Sequence, residues 1–244
     1  MTSLFISDMH LDAGKPHLTS ALMRFLAGPA RQADALYILG DAFDSWIGDD
    51  HGDPLCRSVE DALKALAATG VSVYFMVGNR DFLVRQQFAQ RAGVTLLEDP
   101  TVLTVGGVRT LLTHGDRYCI DDVRYMAFRE KSRTDAWQNK VLGYPRFVRV
   151  ALARYARWKS IRTQAKAMSA GFISDVNEEA VLKEITAFDV TRVIHGHTHR
   201  PMEHAVRLPN GGTAVRIVLS DWREQGEALE VRDDGSFVRM TLMP

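Results

Sequence analysis

The chain has 244 residues, 30 basic and 30 acidic side chains, 46% hydrophobic residues and two cysteines. Such a balance fits a globular protein with one sizeable core and excludes disordered, collagen-like and disulfide-stapled classes. Cys56 and Cys119 match no metal or redox spacing, residues 4–6 are apolar with no basic stretch before them, and no apolar run nears the roughly 20 residues of a spanning helix, so a reducing cytosolic setting with no signal peptide and no membrane span is expected.

In chain order, residues 3–8 read as a buried strand, 17–26 as a helix, and 35–41 as a second strand ending in Gly40-Asp41. Residues 54–68 put Leu55, Val59, Leu63 and Leu66 on one helical face. Residues 71–77 predict a third strand closed by Gly78-Asn79, and 82–92 another helix. This alternation predicts an α/β layered core. Residues 101–105 and 108–113 flank Gly106-Gly107 and read as a hairpin. Residues 120–175 break the pattern: they are mainly helical and rich in Arg, Trp, Tyr and Phe. A helix restarts at Pro145 with Phe147, Ala151, Tyr155 and Trp158 on one face. Residues 213–219 and the pair around Asp233-Asp234-Gly235 are hairpin-like, which predicts a second, more antiparallel sheet. The expected fold class is α/β. A single domain over 1–244 would carry two packed sheets flanked by helices, with 120–175 a helical insertion within it.

Charge is unevenly spread. Between Arg124 and Lys166 there are 12 Lys or Arg against Glu130 and Asp135, a net +10 inside a chain of net zero. A basic block in an acidic body calls for an anionic partner.

Residues able to bind metal recur where the predicted strands end. Asp8 and His10 follow the first strand, Asp41 the second and Asn79 the third. His114 follows the 108–113 strand, and His195 and His197 end the run from Arg192. Loops beyond strand carboxyl ends are where open α/β sheets place their sites. Each signal alone has a plainer explanation. An aspartate ending a strand is ordinarily a turn residue or helix cap, Asn79 after Gly78 is good turn chemistry, and a lone His114 would be a hydrogen-bonded structural histidine. His195-Gly196-His197-Thr198-His199 is different, because three alternating imidazoles in a short loop have little structural use. The joint pattern predicts a metal site. Carboxylate, amide oxygen and imidazole without thiolate suit manganese, iron or zinc. Seven candidate ligands, Asp8, His10, Asp41, Asn79, His114, His195 and His197, exceed one tetrahedral zinc site, so two divalent cations are expected. Two cations about 3.5–4 Å apart would clamp a phosphoryl oxygen and activate water for in-line attack.

Asp8-Met9-His10, Gly40-Asp41-Ala42-Phe43-Asp44, Gly78-Asn79-Arg80-Asp81, His114-Gly115-Asp116 and Gly196-His197 together resemble the calcineurin-like metallophosphoesterase superfamily. The resemblance implies a two-sheet β-sandwich flanked by helices. It implies one metal on Asp8, His10 and His197, the other on Asn79, His114 and His195, with Asp41 bridging. Asp44, Asp81 and Asp116 read as partners that orient these ligands. His17, His51, His199 and His204 fall outside the ligand set. Asp41, Asn79, Arg80 and His114 are the expected catalytic residues.

Most superfamily members carry a histidine where this chain has Arg80, and that histidine commonly assists the leaving group. Arginine cannot give up a proton near neutrality, but it can bind phosphate oxygens as a fork. A phosphate leaving group, with a second pKa of about 6, needs little protonation. The substitution therefore points to a pyrophosphate bond. Residues 78–82, 114–119 and 195–201 look closer still to those superfamily members that act in lipid A biosynthesis. That resemblance implies hydrolysis of UDP-2,3-diacylglucosamine to UMP and the lipid 1-phosphate with Mn2+, at the cytoplasmic face of the inner membrane. It implies substrate contacts from Asn79, Arg80, Asp122, Ser160, Gln164, Lys166 and His195. Tyr125, Phe128, Trp137, Phe147, Leu152 and Tyr155 would line an acyl cleft, the alternative being that they pack the insertion onto the core. A peripheral monomer at the membrane surface is expected. The alternatives are a pyrophosphatase or cyclic-nucleotide phosphodiesterase acting on a soluble nucleotide, and a non-catalytic membrane-docking scaffold. A nucleic-acid partner is not expected, because the aromatics recur at helical rather than strand spacing.

Overall fold

The chain is described here by a computed structural model for residues 1–169 and 175–242, with side chains to 163 in the first span. The first sheet follows the alternation read from the sequence. Strands β1 (Ser3–Ile6), β2 (Ala35–Leu39), β3 (Ser72–Met76) and β4 (Thr95–Leu97) run parallel, linked by helices α1 (Pro16–Ala27), α2 (Pro54–Ala67) and α3 (Gln86–Ala92). The second sheet holds the hairpin β5 (Thr101–Val105) and β6 (Val108–Leu112), then β7 (Arg192–His195), β8 (Met202–Arg207) and β9 (Thr213–Val218), in the order β5-β6-β7-β9-β8. Between β6 and β7 lie helices α4 (Val123–Ser132), α5 (Asp135–Leu142), α6 (Arg146–Ser169) and α7 (Glu178–Phe188). The C-terminal strands β10 (Gly226–Val231) and β11 (Phe237–Leu242) form the expected hairpin around Asp233-Asp234-Gly235. They extend the first sheet through antiparallel pairing of β10 with β1, not the second. Both sheets are therefore mixed.

Strand periodicity explains the layers. Leu4, Ile6, Leu36, Ile38, Val73 and Phe75 face α1 to α3 and join one core with Leu22, Phe25, Leu63 and Phe88. The alternate residues Phe5, Tyr37, Leu39 and Met76 face the second sheet and pack with Leu112, Ile194 and Ile217. A strand buried on both faces reads as a continuous apolar run, which is what these segments show. Phe5, Tyr37 and Tyr74 are paired in register across β1, β2 and β3, and their rings stack at 4.8 Å for each neighbouring pair. Such pairs contribute about 0.5–1.5 kcal/mol each beyond area burial. On the far side of the second sheet, Leu111, Val193 and Ala214 pack on Val181 and Ile185 of α7.

The helix expected over 82–92 begins only at Gln86. Asp81 spends its carboxylate on the backbone N–H groups of Gly78, Asp41 and Ala42, which holds the segment after it in a turn. The first amides of α3 are satisfied from another loop, where Asp49 accepts from the N–H of Arg85 and of Phe88. Among the described residues no helix is long and apolar enough to cross a membrane.

Candidate metal centre

Because β1, β2 and β3 are parallel, and β6 and β7 are parallel, their carboxyl ends deliver five loops to one edge of the sandwich. The backbone there is strained. Asp8, His10, Asp41, His197 and His199 are five of the six non-glycine residues with positive φ among the described residues, at 51°, 45°, 53°, 69° and 56°. Left-handed backbone at such residues costs about 1–3 kcal/mol each and clusters at functional sites. Hydrogen bonds between loops offset it: the N–H groups of Asp8, His10 and Leu11 donate to the carbonyls of Gly40, Asp41 and Ala42, each at 3.0 Å. Two glycines are needed for close approach. A Cβ on Gly78 would collide with the Asp41 carboxylate, and one on Gly196 with that of Asp8.

The side chains converge. Asn79 Oδ1 lies 2.9 Å from both His114 Nε2 and His197 Nδ1. Asp41 Oδ1 is 3.7 Å from His114 Nε2, and its Oδ2 is 3.8 Å from His10 Nδ1. Asp8 Oδ1 is 3.9 Å from His10 Nε2 and 3.3 Å from His199 Nε2, while the His10 and His199 Nε2 atoms face each other at 3.1 Å. Asp8, His10 and His199 form one group compact enough to hold a metal ion, and Asp8, Asp41 and His114 another. Asp8 Oδ1 and His10 Nδ1 are buried with no hydrogen-bond partner. Lone pairs converging on one buried point, two of them unpartnered, fit divalent cations, since unpaired buried polar groups are otherwise costly.

The electrostatics of three histidines fit the same reading. Burial pushes His10 down to about 3, His195 to about 3 and His197 to about 4, which leaves neutral imidazoles, the form that binds metal. Burial pushes the Asp41 carboxyl up to about 7. For His114 burial acts downwards, but Asp41 and Asp8 outweigh it and raise the ring to about 9. Burial pushes Asp8 up too, yet the adjacent His199, 3.3 Å away, and the nearby His114 hold it well below the usual carboxylate range.

Of the aspartates expected to orient ligands, Asp81 clamps the Gly78, Asp41 and Ala42 amides and Asp116 is buried two residues after His114, whereas Asp44 pairs instead with Arg157 at 2.8 Å. His17, His51 and His204 lie away from the cluster: His17 contacts the Arg223 carbonyl, His51 pairs with Glu60, and His204 sits on β8. His199 is in the cluster, contrary to the sequence reading. Its signal was its place two residues after His197 in an alternating run. His195 has its Nδ1 2.9 Å from the Gly196 carbonyl and its Nε2 3.2 Å from Arg216 Nη1. Nothing in the sequence pointed to Arg216.

Arg80 reaches the cluster, with its N–H donating to Asp41 Oδ1 at 2.8 Å and its Nε 4.0 Å from Asp41 Oδ2. Asp122 caps α4 by accepting from the Tyr125 N–H, and Ser160 is half-buried on α6. The expected contacts Gln164 and Lys166 lie outside the residues described with side chains. Of the acyl-cleft candidates, Tyr125 instead bonds Asp116 through its hydroxyl at 2.5 Å, and Trp137 packs against Phe82 and Phe128. Phe128, Phe147, Leu152 and Tyr155 are exposed, Phe147 at 76%.

A buried cluster of carboxylates, imidazoles and one carboxamide at the open edge of a two-sheet sandwich defines a metal-dependent phosphoesterase. The chain belongs to the calcineurin-like phosphoesterase family, whose model matches residues 1–201. Over nearly its full length the chain is similar to proteins named UDP-2,3-diacylglucosamine hydrolase. The protein of that name from Xanthomonas campestris pv. campestris is 47% identical over 240 residues, 96% of this chain and 97% of the relative. Its Escherichia coli counterpart is 45% identical over 234 residues, 96% of each. A solved archaeal phosphodiesterase shares the fold at a TM-score of 0.50 and 10% identity, covering 99% of this chain and 100% of that one.

Proposed function

We propose that the chain hydrolyses UDP-2,3-diacylglucosamine at its pyrophosphate bond, giving UMP and 2,3-diacylglucosamine 1-phosphate, with water attacking the UMP phosphorus. The substrate comes from the name of its relatives, and the observation that carries the choice of bond is Arg80. Its Nε is buried with no hydrogen-bond partner, beside Asp41, so the guanidinium has donors left for phosphate oxygens. Asp8, His10 and His197 are proposed to hold one divalent cation, Asn79, His114 and His195 the other, and Asp41 both, with manganese the preferred ion. When bound, these cations supply Lewis acidity and activated water. The chain's own contribution is orientation. Arg80 neutralises charge developing on the phosphates, Asp81 and Asp116 fix the ligand loops, and Asp122, Ser160, Gln164, Lys166 and His195 are proposed to position the sugar and phosphate. The lipid 1-phosphate leaves without a strong acid, since its second pKa is about 6. Metal-stripped protein should release UMP from the substrate in detergent only after a divalent cation is added. Turnover of soluble dinucleotides in its place would reassign the enzyme to soluble nucleotides.

The same reading places the protein, as a peripheral monomer, at the cytoplasmic face of the inner membrane. Of the 13 exposed large hydrophobics among the described residues, nine lie between Ile120 and Ile161, seven of them within the 124–166 segment that carries the basic excess. Exposed aromatics interleaved with cations suit an anionic lipid surface. The protein should co-sediment with phosphatidylglycerol vesicles and be released as salt rises from about 0.1 M to 1 M, where the Debye length falls from about 10 Å to 3 Å. A Phe147→Ser, Trp158→Ser double variant should bind several-fold more weakly. Equal binding to neutral vesicles at high salt would contradict the electrostatic part.

A further inference from the structure

We propose that Arg133 and Arg129 are positioning residues for the metal centre, through which α4 sets the spacing of the Asn79 and His114 loops. The inference rests on the metal-centre reading above. Tyr125, Arg129 and Arg133 recur at four-residue spacing from α4 to its C-cap, which puts them on one helical face. All three converge on one carboxylate. Asp116 Oδ2 receives the Tyr125 hydroxyl at 2.5 Å and has Arg129 Nε at 3.0 Å and Arg133 Nη2 at 3.3 Å. Asp116 is fully buried, two residues after His114.

Each arginine then reaches a second anchor. Arg133 Nη2 donates to the Gly78 carbonyl at 2.8 Å, next to Asn79, and its guanidinium lies over the Phe82 ring at 5.7 Å. It thereby ties the backbone before one proposed ligand to the carboxylate beyond another, and the two ligand atoms, Asn79 Oδ1 and His114 Nε2, are 2.9 Å apart. Arg129 Nη2 donates to Asp99 Oδ2 at 2.8 Å, and Asp99 Oδ1 accepts the Thr113 hydroxyl at 2.5 Å. Arg129 therefore grips His114 from both chain directions, through Thr113 before it and Asp116 after it. Two buried carboxylates and two largely buried guanidiniums are paired, so the brace adds no net charge beside the cations. Breaking one member leaves the others unpaired, which makes the brace act as a unit.

Losing a group that orients metal ligands typically weakens metal affinity about 10–100-fold. Coupling is reciprocal, so cations that depend on the brace must in turn hold α4 in place. The test uses the full chain stripped of metal and titrated with Co2+, followed by visible absorbance. Wild type should bind two ions, one of them lost in Asn79→Ala. In Arg133→Ala that same step should weaken about tenfold or more, with Arg133→Lys recovering part of the affinity and excess cation restoring turnover. Hydrogen exchange of α4 amides should slow on adding cation in wild type and not in Arg133→Ala. Because Arg133→Ala could unfold locally, Tyr125→Phe, which removes only the hydroxyl donated to Asp116, is titrated in parallel and should weaken the same step by a smaller factor. Unchanged Co2+ affinity in both variants, or α4 exchange indifferent to cation in wild type, overturns the proposal while leaving the metal centre intact. Failure of wild type to bind Co2+ through Asn79 overturns both.

Discussion

Asp41→Ala should leave a folded chain that turns over UDP-2,3-diacylglucosamine at least about 10³-fold more slowly, because metal-ion stabilisation contributes several kcal/mol to the transition state and each 1.36 kcal/mol is about tenfold in rate. Asp41 stands between the two ligand groups. Its Oδ1 faces His114 and its Oδ2 faces His10 and Arg80. Removing a ligand to only one cation would leave one half of the site, whereas removing Asp41 touches both. Thermal melts separate this from simple unfolding. A cation at about 100 times its Kd adds about 2.7 kcal/mol, which for a domain this size is a rise of about 5–10 °C in Tm. Wild type should show that rise and Asp41→Ala should not. A variant that melts normally, is stabilised by manganese and keeps its rate would remove Asp41 from the centre.

The second large effect is at Arg80. Arg80→Ala should lower kcat on the pyrophosphate substrate about 10²–10³-fold, the usual loss for one preorganised donor to a developing oxyanion. The loss should fall on kcat more than on KM, because the fork strengthens as charge develops on the phosphates. Arg80→Lys should recover part of it, since a lysine keeps the charge but not the planar fork. Arg80→His tests the choice of bond. A protonated imidazole can give its proton to an alkoxide leaving group but lacks the planar fork that binds phosphate, so monoesterase activity should rise only as pyrophosphatase activity falls. A variant that gains the first and keeps the second would detach Arg80 from the bond preference. Metal affinity should be unchanged in all three, which distinguishes them from the ligand variants.

Much of this architecture was readable in the residues because β1 and β2 are buried on both faces and β3 nearly so, so their apolar runs end sharply where the chain becomes polar. The chemistry sits at such ends: Asp8, Asp41, Asn79 and His114 each follow an apolar run with one residue between, Ser7, Gly40, Gly78 and Thr113. What the sequence hid had physical causes. β4 is three residues long and carries no period. α7 did carry a signal, the Asn177 cap accepting from the Ala180 N–H and the acidic pair Glu178-Glu179 in its first turn, but its first residue comes only 12 positions after Lys166, the end of the basic block. The β10–β11 hairpin is the same local structure in either sheet, and only long-range pairing with β1 decides its place. His199 entered the cluster through a left-handed backbone turn that no residue type announces. The arginines of α4 look like any basic helix face until Asp99 and Asp116 are brought beneath them.

The central claim is hydrolysis of the pyrophosphate bond by water arriving at the UMP phosphorus. The most direct measurement is UMP release from UDP-2,3-diacylglucosamine in oxygen-18 water, with manganese restored to the metal-stripped chain. One labelled oxygen in UMP, dependent on the cation and absent in Asn79→Ala, is the expected result. Label in the lipid 1-phosphate would keep the enzyme class and overturn the point of attack. No turnover at all would contradict the account.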